Sequence, residues 1–518
     1  MAFTVVGADL AGRDLTYGWL RTRSEQAAAA LAALGVGPGD RVATLMGKGA
    51  DLVVTLLGIW RLGAVHLPLF TAFGPSAIAA RLSAGAAKVV VCDTGQRAKL
   101  ESIVEGMGAP MWHVVTADAS PGAEAEPHGL DALLDAQPAG FPGAVREAGD
   151  PLVLLFTSGT TGAPKAVPVP VRALAAIGMY MEYGLDVQPE DVFWNAADPG
   201  WAYGLYYGIL GPLLTGRRNL LLRAGFDPEM TWKVLADYGV TNLAAAPTVY
   251  RALRAKEERA PRGLSLRACS SAGEPLDPGI IAWAERRLGV PVRDHYGQTE
   301  LGMVIVNGWH PGVRRPLRAG SMGEAMPGFR AAVLAASGVD EAAPGTLGPV
   351  AIDTAASPLM WFTGYTDAPE RTASRFSADG RWYLTGDLGR CDEQGYVYFS
   401  TRDDDVILMA GYRIGPFEVE SALTSHPEVV EAAVIGAPDQ LRGEVVEAYV
   451  VFREETAVTP ELLHELQQHV KKHYAAHAYP RTIHPVTGLP KTPSGKVQRF
   501  ALREQRRKQL AGPREDGG

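Results

Sequence analysis

Three cysteines in 518 residues, Cys92, Cys269 and Cys391, are too few and too far apart for a disulfide framework or a CxxC-type zinc site. Such a sparse, odd set fits a reducing compartment. Long apolar runs are missing too. A tempting one, Leu52 to Trp60, is nine residues and stops at Arg61, well short of the ~20 that a membrane span needs. The N-terminal stretch MAFTVVGADLAGRD has no basic run and meets Asp9 early, so no secretory signal is expected. These absences lead to an expected cytoplasmic protein with no membrane insertion. Positive charge is not in excess: 49 Lys and Arg face 57 Asp and Glu, a net −8. That argues against a nucleic-acid partner, though not against an anion held in a local pocket. With 47% hydrophobic and 20% charged residues, the chain is also not a disordered one.

What is present alternates. Residues 17–34 are rich in Ala and Leu and stop at GVGPGD, reading as a helix. RVATLM reads as a buried strand, Asp51 as the cap of a helix running to Arg61, and 88–92 as another strand. Strands alternating with helices predict a parallel sheet. Residues 117–150 read as a surface loop region with one short helix at most. Further strands are expected at 151–156, 219–223, 241–246, 291–296 and 331–336, with helices at 228–238 and 278–288. From about 318 the short strands and turns suggest a small barrel. Past TRDDD (401–405) the texture changes again, to a compact α+β segment long enough to be its own domain. The expected organisation is an α/β domain over 1–402, made of α/β subdomains plus a small β-barrel, and a smaller mobile α+β domain over 403–518. The tail GPREDGG is expected to be disordered.

TSGTTGAPK (157–165) follows a buried strand directly. Glycines let backbone N–H groups approach an anion, hydroxyls donate to it, and lysine adds charge. It is not the P-loop of nucleoside triphosphatases, which needs Gly-Lys together at a helix start. Here Lys165 follows Pro164 and precedes AVPVP, and those prolines favour extended chain.

Six more motifs appear in order: SAGEPL (271–276), DHYGQTE (294–300), YLTGDLGR (383–390), RDDDVI (402–407), GYRIGP (411–416) and PKTPSGKVQR (490–499). Together with the loop they resemble the signatures of the adenylate-forming superfamily, which holds acyl-CoA synthetases, luciferases and peptide-synthetase adenylation domains. ADPGWAYG (197–204), GYRIGP and LPKTPSGK look most like short- and medium-chain acyl-CoA synthetases. The resemblance implies a two-step reaction using ATP, Mg2+ and coenzyme A. A carboxylate attacks the α-phosphate of ATP to give acyl-AMP and pyrophosphate, and a thiol then displaces AMP.

Residue by residue, the resemblance puts Thr157, Ser158, Gly159, Thr160, Thr161, Gly162 and Lys165 around the phosphates. Thr299 becomes an α-phosphate contact and Glu300 the Mg2+ ligand. Gly273, Glu274, Pro275, Asp294 and Tyr296 become the adenine site, with Tyr296 stacking. Asp387 and Arg402 would hold the ribose, and Arg413 would lie near phosphate or carboxylate. Lys496 would reach in from the mobile domain during adenylation, and Asp404 would be the hinge. Thr401 and Ala410 depart from the common glycine and serine at their positions.

Trp201 is expected along the pantetheine route, and Ala202 and Tyr203 beside the acid. Gly297 stands where acetate-specific relatives carry a tryptophan, and Ala272 where they carry a larger aliphatic side chain. Both are expected to enlarge the pocket, with Tyr203 filling space opposite. The expected acid is therefore larger than acetate, aliphatic C4–C10 or a small aromatic. Two other readings stand beside the ligase: an adenylating enzyme that passes the acyl group to a carrier protein or another acceptor, and a non-catalytic nucleotide-binding relative.

Overall fold

The computed structural model describes residues 1–107, 112–117, 129–157, 164–402, 405–409, 412–439, 442–491 and 496–511. Two sheets build the first four hundred residues. In the smaller, the strands His113–Ala117, Ala87–Asp93, Arg41–Leu45, Val65–Pro68 and Pro151–Thr157 run parallel. Lys165–Pro170 returns antiparallel on the edge. Apolar side chains fill most of Ala87–Asp93 and Pro151–Thr157, as strands covered on both faces require. Helix Tyr17–Ala33 starts where Thr16 accepts the Trp19 N–H. Helix Ala50–Leu62 ends at Gly63, whose φ of +80° makes a left-handed cap. Asp51 does not cap that helix. Gly49 holds the cap position with no side-chain bond, and Asp51 sits in the first turn, where its charge faces the helix dipole.

The larger sheet has a parallel half: Phe3–Val6, Asn219–Leu222, Phe193–Asn195, Asn242–Ala245, Ala268–Ala272 and Val292–Gln298. Direction reverses at Gly302–Val306, and Ser321–Ala325, Val397–Arg402, Trp382–Cys391, Gly348–Asp353 and Ala331–Val333 follow in that order. The strands expected as a small barrel thus continue the large sheet among the described residues. Ser321–Ala325 bridges the two halves by pairing with Gly302–Val306 on one side and Val397–Arg402 on the other. A carboxyl-end crevice where an α/β sheet changes direction is the usual ligand position in such folds.

A third sheet, over Ile407–Met409, Tyr412–Ile414, Val429–Asp439, Gly443–Phe452 and Thr482–Pro485, has its own core of Val419, Leu423, Val434, Val446 and Leu466 among others. Helices Pro416–Thr424, Pro460–His473 and Arg499–Ala511 belong with it. The strand Thr482–Pro485 and the last helix carry no strong sequence signal. Cys92 and Cys269 are buried and Cys391 is half-buried, all three free thiols. Among the described residues no helix is long and apolar enough to cross a membrane. The terminal GPREDGG lies outside the described residues, as does most of 117–129.

Candidate active site

The two sheets meet where three strand ends converge. Thr157 and Lys165 are register partners across the antiparallel pair, so the first and last residues of the Ser/Thr/Gly motif lie side by side. Ser158, Gly159, Thr160, Thr161 and Gly162 lie outside the described residues. The Lys165 ammonium is 5.1 Å from the centre of the Tyr365 ring, a cation–π distance. Partial burial, Arg375, Arg371 and Arg402 lower its pKa, and only Glu300 pulls the other way. A cation held among cations is poised for an anion. A cavity of about 630 Å3 opens here, with Phe156, Lys165, Thr366 and Arg371 in its wall.

Glu300 lies two residues past the end of Val292–Gln298. It is buried, 6% exposed, and its Oε1 accepts from the Tyr365 hydroxyl at 2.7 Å. That hydroxyl in turn accepts from Arg375 Nε at 3.1 Å. Thr299 is pinned through its carbonyl, which accepts from the buried Tyr206 hydroxyl at 3.0 Å. Among the described residues no group of three or more His, Cys, Asp or Glu could hold a resident metal. One buried carboxylate with an oxygen to spare suits Mg2+ arriving on phosphates, because that ion keeps its waters and needs only one or two protein carboxylates.

Asp387 lies opposite, 6% exposed. Its Oδ2 accepts from the Tyr296 hydroxyl and from Gln298 Nε2 at 2.9 Å, and Arg402 Nε stands 4.0 Å from Oδ1. Burial raises its carboxyl pKa, while Arg402, Tyr296, Gln298 and Lys496 hold it down. Gln298 also donates to the Thr385 carbonyl at 2.8 Å and accepts from Tyr383 at 3.0 Å. Tyr296, expected only as a stacking ring, is thus a fixed hydrogen-bond donor as well. Gly273 has φ +101° and open space where a Cβ would stand, so backbone is exposed there as an adenine edge would need. Glu274 is tied to Arg251 at 2.8 Å, its other oxygen buried without a partner among the described residues. Pro275 is half-buried beside it. Burial drives the Asp294 carboxyl pKa well up, against the Leu276 and His295 N–H groups.

Lys496 comes from the other domain. Burial, with Arg402 nearby, lowers its ammonium pKa against the opposing pull of Glu274, Asp387 and Glu300. Its surface is still open to water. The strand Tyr412–Ile414 carries the Arg413 backbone; the Arg413 side chain and Asp404 lie outside the described residues.

On the acid side, Ala272 is buried at 2% exposure. Trp201 packs against Phe70 and Phe73, ring centres 5.3 and 5.6 Å away. Ala202 and Tyr203 open a helix that passes at once into a π turn, Tyr206–Leu210, a distortion common at functional sites. The Tyr203 and Tyr180 hydroxyls are 3.2 Å apart, and Tyr180 is 2.7 Å from His295 Nδ1. His295 Nε2 is 3.2 Å from the Asn307 carbonyl, so Nε2 carries the proton. Burial holds this imidazole neutral, its pKa down at about 3. Nδ1 therefore accepts from Tyr180, and Tyr180 accepts from Tyr203.

Gly297 has a backbone reason to be glycine. A Cβ there would press on the Gly302 carbonyl oxygen, 2.7 Å from Met303 Cα and 2.8 Å from Gly302 C. The added side chain would meet the neighbouring strand at a register shift, rather than open space.

Sequence reading missed Tyr365, Arg375, Tyr383 and Gln298, although Gln298 lies inside the DHYGQTE motif. It also missed Lys48, which donates to the Ala196 carbonyl at 2.8 Å and faces Asp198.

The family model "AMP-binding enzyme" matches residues 3–365, and "AMP-binding enzyme C-terminal domain" matches 418–496. An acetyl-coenzyme A synthetase of Bacillus subtilis (strain 168) is 36% identical over 474 residues, 90% of this chain and 80% of its own. The mitochondrial acyl-coenzyme A synthetase ACSM4 of Homo sapiens is also 36% identical, over 91% of this chain and 80% of its own. Among solved structures, a Brucella canis acyl-CoA synthetase is 45% identical with a TM-score of 0.75, covering 98% of this chain and 92% of its own. The anthranilate CoA ligase AuaEII, in complex with anthranoyl-AMP, is 28% identical with a TM-score of 0.88, covering 98% and 94%. With both family models in order and a cleft that gathers their motifs, the chain belongs to the AMP-binding enzyme family and, within it, to the acyl-CoA synthetases.

Proposed function

We infer that this acyl-CoA synthetase acts on an acid larger than acetate, a medium-chain aliphatic or a small aromatic, in the cytoplasm. The reaction is ligation of a carboxylic acid to the thiol of coenzyme A through acyl-AMP, with pyrophosphate released. The observation that carries this reading is that Lys496, from the second domain, lies within electrostatic reach of Glu274, Asp387 and Glu300 of the first. A long cationic side chain there balances two anions, acid carboxylate and α-phosphate, that otherwise repel. Bound Mg2+ would supply further charge neutralisation on the phosphates, held at Glu300.

Each residue then has a task. Asp387, oriented by Tyr296 and Gln298, accepts from the ribose hydroxyls, with Arg402 beside it. Gly273, Glu274 and Pro275 present backbone to adenine. Thr157 to Lys165 cradle the outer phosphates, and Thr299 contacts the α-phosphate. Arg413 supports the acid or phosphate. The domain boundary falls at 402/403, and Asp404 is the pivot about which the second domain turns between half-reactions.

Support for the larger acid is weaker on one side than the sequence alone suggests, because Gly297 is required by strand packing. Ala272 and the tyrosines at 203, 180 and 207 remain as an apolar, ring-lined wall. AuaEII, named for anthranilate, and a benzoate CoA ligase of Burkholderia xenovorans LB400 are similar in structure, which favours an aromatic acid as one arm of the test. That test is acid-dependent ATP–pyrophosphate exchange over straight-chain C2–C10 acids and small aromatic acids, followed by product analysis with and without coenzyme A. Equal activity on acetate and on the larger acids would overturn the substrate assignment. Exchange without thioester would favour transfer to a carrier protein instead.

A further inference from the structure

A carboxylate outside the nucleotide cleft joins the two domains. Glu418 lies in the first turn of helix Pro416–Thr424. Its Oε1 accepts from Ser400 Oγ at 2.6 Å, and Arg390 Nη2 is 3.5 Å from the same oxygen. Ser400 and Arg390 sit on Val397–Arg402 and Trp382–Cys391, the strands that also carry Arg402 and Asp387. The Glu418 side chain is 13% exposed, and its Oε2 is buried with no hydrogen-bond partner among the described residues. A Cβ on Gly415 would press on that Oε2 and stand 2.6 Å from Ser400 Oγ. Backbone, carboxylate and hydroxyl are therefore in close contact. Phe399 and Phe417 meet edge to face beside them, 6.0 Å between centres, and Tyr474 faces both Glu418 and Arg390.

The same helix is wired to the catalytic lysine. Two residues on, Glu420 holds Arg499 through Nε at 3.0 Å and Nη2 at 2.8 Å. Arg499 is three residues past Lys496. Asp405 is held by Arg503 at 2.6 Å and lies 3.5 Å from Arg499, so the start of the second domain is tied to its last helix. Ser400 and Glu418 lie on either side of the 402/403 boundary, so a rotation of the second domain there would carry Glu418 away from Ser400. A contact made in one orientation and absent from the other biases the population by its own free energy.

We propose that Glu418, docked on Ser400 and Arg390, is the positioning residue of the first half-reaction: it holds the second domain where Lys496 faces Asp387 and Glu300, and it must release before the thiol step. This rests on the two-step ligase reading. The unpaired Oε2 makes the dock incomplete, which suits a contact that has to open once per turnover.

The test uses Glu418→Gln, Ser400→Ala and Arg390→Ala in the full chain. Arg390 is 46% exposed, so that variant keeps its fold. ATP–pyrophosphate exchange should fall about tenfold in kcat, the effect of one weaker charge-assisted hydrogen bond, with KM for acid and ATP unchanged. Thioester formation from supplied acyl-AMP and coenzyme A should hold or rise. The Glu418→Gln/Arg390→Ala double variant should be little worse than Glu418→Gln alone, because both remove the same charge pair, while adding Ser400→Ala should deepen the loss, because the glutamine amide oxygen still accepts from Ser400. Equal loss in both half-reactions, no loss in either, or a change confined to KM would overturn the dock and leave the ligase standing. An unaltered enzyme with neither exchange nor thioester formation would overturn both.

Discussion

Replacing Gly297 by alanine separates two reasons for a glycine at that position. If the missing side chain serves only to deepen an acid pocket, one methyl group should trim the pocket and leave stability alone. The geometry argues otherwise. The new Cβ would stand 2.7 Å from Met303 Cα and 2.8 Å from Gly302 C, whereas carbon atoms rest about 3.5–4.0 Å apart. Neither neighbour is a flexible side chain, so the strands Val292–Gln298 and Gly302–Val306 must part by about an ångström. Overpacking of this kind costs about 1–3 kcal/mol. For a domain near 400 residues that corresponds to a fall in melting temperature of roughly 1–4 °C. Because the strand also positions Tyr296, Thr299 and Glu300, ATP–pyrophosphate exchange should fall for every acid together. Differential scanning fluorimetry and kcat/KM over C2–C10 acids read both effects. Unchanged melting with a profile shifted toward short acids would refute the packing argument and restore Gly297 to the pocket floor.

Lys496→Ala should abolish ATP–pyrophosphate exchange yet still convert supplied acyl-AMP and coenzyme A to thioester, measured as two separate assays. Asp387→Asn should raise KM for ATP by about ten- to 150-fold, from loss of one hydrogen bond to a charged group at about 1.5–3 kcal/mol; initial-rate kinetics at saturating acid check it. For Asp191, burial works to raise the carboxyl pKa, but Arg267, the Gln188 N–H and Thr241 prevail and hold it below its usual value. Its stabilising contribution is therefore full above the unfolded carboxylate pKa and is lost as pH falls through the lower folded one; Asp191→Asn should flatten the acid limb of a melting-temperature profile below about pH 4.

The parts of the site that were legible in sequence are those that one short stretch of chain builds alone. SAGEPL, DHYGQTE and YLTGDLGR each come at a strand end or bend, where glycine and polar residues interrupt an apolar run, so the local pattern marks them. What was not legible depends on register between distant strands. Gln298 matters because Asp387, Thr385 and Tyr383 arrive beside it from another strand. Arg375 reaches Tyr365 and Thr385 from a turn with no motif of its own. Gly297 shows the same dependence, since an absent side chain looks like open space until the opposing strand is in place. The barrel expected after 318 is where the sequence says least, because strand count does not fix closure, which depends on whether the edge strand finds a partner.

Charge explains why one lysine should sit on a separate domain. Around the cleft, Glu300 and Asp387 face Lys165, Arg375 and Arg402, so the fixed groups carry a small positive excess. A triphosphate together with a free carboxylate overturns that excess, and a movable ammonium at Lys496 offsets the surplus where the two anions touch. Once pyrophosphate has gone and the carboxylate has become a neutral acyl group, the surplus falls to a single phosphate diester-like charge. A fixed lysine would then continue to hold AMP and to fill the space the thiol must cross. Mounting the charge on a domain that turns away removes both obstacles at once, and requires a dock weak enough to open, which is what a carboxylate with one oxygen satisfied and one not provides.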